Sequence, residues 1–153
     1  MGTETVESQI DIIKILIETC RDAQAGYLIA AEHAKSAELR AFFSNQSMER
    51  ARFSAELERV AKHLGEAEIA PGAGIVDRIN RAWLELKHKL GAGDTGVLET
   101  VEAAASQCRS QYQQAVQSTL PGELKTVIDR QAESVFAAYD QICALREMGG
   151  KAA

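Results

Sequence analysis

Three groups of side chains in this sequence have the types and spacing to do chemistry. The first is a literal Glu-x-x-His, Glu85 to His88. On a helix, three-residue spacing puts carboxylate and imidazole on one face, the arrangement helical bundles use to hold a pair of iron or manganese ions. These two lie about 200° and 140° around a helix from Trp83. They therefore point away from the apolar stripe of their segment and read as a solvated face. The second group is the thiols Cys20, Cys108 and Cys143. None has a His nearby in sequence, and their places on apolar seams predict buried thiols that act as small hydrophobes. The third is a set of polar residues where apolar ones are expected: Cys20, Gln24, Gln46, Glu49, Cys108 and Gln131, with Tyr27 and Tyr112 near. His33 and His63 stand near helix ends and join no His pair at ligand spacing. Gly91-Ala92-Gly93-Asp94-Thr95-Gly96 follows a helix and lacks the Lys of a phosphate loop, so it reads as a helix stop with an Asp94 or Thr95 cap.

Helices must position these groups. Of eleven glycines only Gly26 falls inside a strongly periodic segment, and both prolines, Pro71 and Pro121, stand in helix-stopping contexts. The first segment, 5–34, carries Val6, Ile10, Ile13, Ile17, Cys20, Gln24, Tyr27 and Ala31, an alternation of four and three that marks a lengthwise-packed helix. Ser36 is a predicted N-cap for the second, whose seam reads Leu39, Phe42/Phe43, Gln46, Glu49, Phe53, Leu57, Val60 and Leu64, with Gly65 ending it. A shorter helix is expected over 75–90, around Trp83. Two long ones are expected over 95–119 and 123–148, with seams through Cys108 and Tyr112 and through Gln131 and Val135. No segment alternates with period two over strand length, so the fold class is all-α. The first helix has a second apolar stripe, Ile12, Ile15 and Ile29, running past Thr19 and Gly26. A helix apolar on two sides is covered twice. Either the Trp83 helix or the second subunit of a homodimer would be the cover.

Composition bounds the partners. The chain has 153 residues, enough for one domain, with 17 Lys+Arg against 22 Asp+Glu and a net charge of −5. An acidic chain with scattered basic residues predicts no nucleic-acid partner. No apolar stretch reaches the roughly 18 residues of a membrane span, and residues 1–10 lack the order of a signal peptide. Three cysteines without close spacing point to a reducing, cytoplasmic setting. Twenty-five alanines against two prolines favour helix.

Sliding the chain by 85 residues aligns the first two long helices with the last two without a gap. Tyr27 meets Tyr112, Ala30 meets Ala115, Glu38 meets Glu123, Leu39 meets Leu124 and Gln46 meets Gln131. A duplicated helical hairpin (5–64 and 95–148) joined by one long crossover is the plan of the ferritin-like bundle. Arg21-Asp22-Ala23-Gln24-Ala25-Gly26-Tyr27, Met48-Glu49-Arg50-Ala51-Arg52-Phe53, the Trp83 helix and Arg130-Gln131 carry a further resemblance. On these residues the chain resembles a bacterial family of uncharacterised four-helix-bundle proteins in the ferritin-like superfamily, which implies one ferritin-like domain and no established activity. Aligned to the superfamily's metal pattern, the ligand slots fall on Cys20, Glu49, Arg52, Ala105, Ser134 and Ala137. One slot in these holds a suitable ligand, and a guanidinium at Arg52 would repel a cation.

The expectation is therefore a non-catalytic bundle that has lost its di-metal site, with no metal or other cofactor, acting as a binding or structural protein of unidentified protein or small-molecule partner. The alternative is a di-metal carboxylate protein, iron-handling or oxidoreductase, with atypical ligands. The polar candidates Cys20, Gln24, Tyr27, Gln46, Glu49, Arg52, Tyr112 and Gln131 predict either a buried hydrogen-bond network or a small polar cavity.

Overall fold

The computed structural model describes residues 6–65, 83–84 and 93–149. These form four helices, α1 (Val6–His33), α2 (Ala37–His63), α3 (Gly93–Gln117) and α4 (Gly122–Gly149), and no strand occurs among the described residues. The helix expected over 75–90, with Glu85 and His88, lies outside them except for Trp83 and Leu84, which are helical.

The helix ends follow from local chemistry. Ser36 has extended backbone and its hydroxyl accepts the Leu39 N–H at 3.3 Å, a side-chain N-cap for α2. Gly65 takes φ 97° just past α2, a conformation that an L side chain resists. Asp94 does something other than the expected capping of its own helix. Its carboxylate accepts the N–H groups of Lys35 and Ser36, at 2.7 and 3.0 Å, and so ties the start of α3 to the α1–α2 turn.

That tie helps fix the topology. Antiparallel α1 and α2 pack as one hairpin, α3 and α4 as another, with α1 bordering α3 and α2 bordering α4. The start of α3 sits at the α1–α2 turn, while His63, ending α2, lies 3.2 Å from Glu123 at the α3–α4 turn. Hence α1 runs antiparallel to α3, and α2 to α4. Residues 65 and 93 stand at opposite ends of the bundle, so the chain between them has to cover its length, about 40 Å for helices of this size.

The core is a single apolar cluster drawn from all four helices. Six pairs of residues 85 apart lie inside at both positions: Ile13 and Leu98, Leu16 and Val101, Tyr27 and Tyr112, Ala30 and Ala115, Leu39 and Leu124, Leu57 and Ile142. Two seams differ from the heptad reading. In α1 the inward residue between Cys20 and Tyr27 is Ala23, while Gln24 is exposed. A straight helix drifts from a strict seven-residue repeat, and at the stripe's edge a long amide reaches water where a methyl group stays inside. In α2 the stripe passes through Ser47 and Arg50, leaving Gln46 and Glu49 half-buried on its flank.

Outside α1, Trp83 covers Gly26. The indole is buried and meets the Tyr27 ring edge-on at 5.0 Å. A Cβ built on Gly26 would fall inside the Trp83 ring, which explains the one glycine within a periodic segment.

Candidate polar core and its guanidinium

Arg50 is the centre of the site. Phe43, Ser47, Arg50 and Phe53 are successive inward residues on one face of α2, so the helix delivers a cation where packing calls for an apolar side chain. Its side chain is only 3% exposed. The guanidinium lies 5.6 Å from the Tyr27 ring centroid and 5.5 Å from that of Phe53, within cation–π range of both. At the rim Nη1 donates to Glu49 Oε1 at 3.0 Å. Burial opposes the charge, but the acidic groups around it (Tyr27, Cys20, Cys108 and Tyr112) more than offset this, and the pKa stands above the ordinary value for arginine.

Those neighbours are held neutral. Burial pushes the Cys20 thiol up to about 11 and the Cys108 thiol up to about 12, with Arg50 drawing each partly back. Tyr27 rises to about 12 for the same reason, and burial drives Tyr112 well above its ordinary value. Neither core thiol is a thiolate near neutral pH, so neither is an activated nucleophile.

A hydrogen-bond relay crosses the bundle beside this cluster. The Tyr112 hydroxyl donates to Gln131 Oε1 at 2.7 Å, which leaves its oxygen to accept the Cys20 thiol proton at 3.1 Å. Gln131 Nε2 donates to Glu56 Oε1 at 2.8 Å and to the Phe53 carbonyl at 3.3 Å. The other Glu56 oxygen accepts from Arg130. Four helices are thereby joined in the order α1, α3, α4, α2. Burial raises the Glu56 carboxyl, but bonds from Gln131 and Arg130 outweigh it and the pKa lies below the usual range. The pair 85 residues earlier, Tyr27 and Gln46, is different: Tyr27 faces Arg50, and the buried Gln46 Oε1 has no hydrogen-bond partner among the described residues.

The sequence-derived set is thus split. Cys20, Tyr112 and Gln131 meet in the relay, and Tyr27 sits against Arg50. Glu49 reaches the cluster only from its half-buried rim, Gln46 stands apart, and Gln24 and Arg52 lie on the surface. Arg52 points outward, its side chain 76% exposed, because the inward face at that level of α2 is taken by Arg50 and Phe53. The interior cation is Arg50. Its spacing from Phe43 and Leu57, seven residues each way, was the available signal. Glu56 and its pairing with Gln131 were not anticipated, since no single-helix pattern announces a contact across 75 residues.

The described residues do not fit a di-metal centre. Among the aligned ligand slots Ala105 is buried, Ser134 is half-buried and Ala137 is exposed. No group of three or more His, Cys, Asp or Glu side chains converges among the described residues. A permanently charged guanidinium stands in the interior instead.

Fold and site together define an all-helical bundle with a polar, cation-bearing core. The family described as a domain of unknown function (DUF2383) matches residues 8–118, well over half of the chain, and the chain belongs to it. The match runs from α1 through the end of α3, so α4, with Arg130 and Gln131, lies beyond it. No curated protein sequence matches the chain. No described helix is long and apolar enough to cross a membrane.

Proposed function

We propose that this protein is a non-catalytic bundle of ferritin-like descent, a binding or structural protein whose interior has exchanged a di-metal site for a buried guanidinium. The observation that carries the reading is Arg50, enclosed by Tyr27, Phe53, Cys20, Cys108 and Tyr112 and paired at the rim with Glu49. A metal pair needs several anionic or imidazole donors facing inward. Here the groups around Arg50 are largely thiols and phenols kept protonated by burial, with the Glu49 carboxylate at the rim, and the central charge is positive.

Two further observations support the ferritin-like descent. Residues 65 and 93 stand at opposite ends of the bundle, as the single long crossover of that plan requires. Six pairs of residues 85 apart are buried at both positions, which favours a duplicated hairpin. The three free thiols favour a reducing compartment.

Elemental analysis of protein purified without chelator, then dialysed against iron(II) and manganese(II), tests the reading. Sub-stoichiometric traces are the expected result. A pair of ions per chain, lost when Glu49 is replaced by Gln, would restore the di-metal alternative.

A further inference from the structure

Arg52, turned out of the core, lines a groove between α2 and α4 with Phe53, Ala55, Glu56, Arg59 and Arg130, enclosing about 360 Å³. Arg52 and Arg59 are seven residues apart, two turns along one face of α2, and Arg130 enters from α4 between them through its bond to Glu56. Three guanidiniums facing one groove stand out on a chain whose net charge is −5.

The charges inside the groove do not cancel. Among the described residues Glu56 is the one acid lining it, and both of its oxygens are engaged, by Gln131 and Arg130. Glu49, at the edge, lies 3.9 Å from Arg52 but 3.0 Å from buried Arg50, to which its charge is chiefly committed. Arg52 and Arg59 therefore present planar donor forks with little compensation. Three cations against one carboxylate leave a surplus of two positive charges. A phosphate monoester carries about −1.5 to −2 at neutral pH and offers three acceptor oxygens to such forks. Phe53 and Ala55 supply an apolar lining for the organic part of such a molecule.

We propose that the α2–α4 groove is a binding site for a phosphate-bearing small molecule, held by Arg52, Arg59 and Arg130. The site is independent of the Arg50 interior, and metal analysis can go either way without touching it.

The test is a titration with inorganic phosphate at fixed ionic strength, followed by phosphorus-31 NMR line broadening and by thermal shift. Saturable binding is expected in the native chain. Arg59→Gln, at an exposed position, should keep the helical circular dichroism and weaken phosphate about tenfold, the size of one charge-assisted contact. Arg21→Gln, on the surface of α1, should leave affinity unchanged. Absence of saturation, or equal affinity in Arg59→Gln and the native chain, would overturn the site. Citrate binding as tightly as phosphate would overturn the assignment to phosphate.

Discussion

Gln46 on α2 and Gln131 on α4 are the same residue 85 positions apart, yet their chemistry differs. Gln131 is fully buried and spends its carbonyl on Tyr112 and its amide on Glu56 and the Phe53 carbonyl. Gln46 is half-buried, and its buried oxygen has no partner among the described residues. A hydrogen bond contributes modestly, whereas a buried polar group left alone costs its desolvation. Gln131→Leu should therefore destabilise by roughly 2–4 kcal/mol, because it strands the Tyr112 hydroxyl and removes a donor from Glu56. Gln46→Leu should be neutral or stabilise by up to about 1 kcal/mol, since it deletes an unsatisfied carbonyl and adds apolar area. Midpoints of urea unfolding, at unchanged slope, measure both. Equal losses at the two positions would show that both glutamines are bonded in solution.

At the scale of the helices, the contact between Trp83 and Gly26 is what the connecting segment contributes to α1. Alanine is the better helix former by about 1 kcal/mol, so Gly26→Ala would stabilise an α1 left uncovered at this point. With the indole in place the added methyl group must displace the ring, and overpacking costs about 1–3 kcal/mol. Gly26→Ala should thus be destabilising in the native chain and stabilising in a Trp83→Ala background, a sign reversal that a double-mutant cycle reads directly. Trp83 is the chain's one tryptophan, so its emission should shift to the red in Gly26→Ala. Additive effects and unchanged emission would mean the two do not touch. The sequence displayed Gly26 as an anomaly within a periodic segment and named Trp83 or a second subunit as its cover. It also displayed the four helices, with every boundary within two residues of the structure. What it hid was rotation. A seven-residue repeat cannot say which of two adjacent residues faces inward, and that ambiguity put Gln24 and Glu49 on the seam in place of Ala23 and Arg50. Glu56 with Gln131 was hidden for a different reason, since their pairing exists only once α2 and α4 are side by side.

Across the whole molecule, these buried groups set the pH range over which the bundle is stable. Glu56 has its folded pKa lowered, so it favours the fold above the ordinary glutamate value of about 4.3. That contribution fades as pH falls from there through the lowered value. At the alkaline end the sign is opposite. Cys20 and Cys108 are raised from 9.0 to about 11 and about 12, and Tyr27 from 10.0 to about 12. Above about pH 9 the unfolded chain gives up these protons while the folded chain keeps them, and stability declines until the folded values are passed. Unfolding midpoints in urea should consequently be level from about pH 5 to 8.5, falling on both sides. The limbs are separable by substitution. Glu56→Gln should flatten the acid limb alone. Replacing Cys20 and Cys108 together by Ala should make the alkaline limb shallower from about pH 9 without moving the acid limb, whatever that replacement does to stability on the plateau. An alkaline limb of unchanged slope in the double variant would mean that the two thiols ionise in the folded chain as readily as in the unfolded one. The interior around Arg50 would then be open to water rather than sealed.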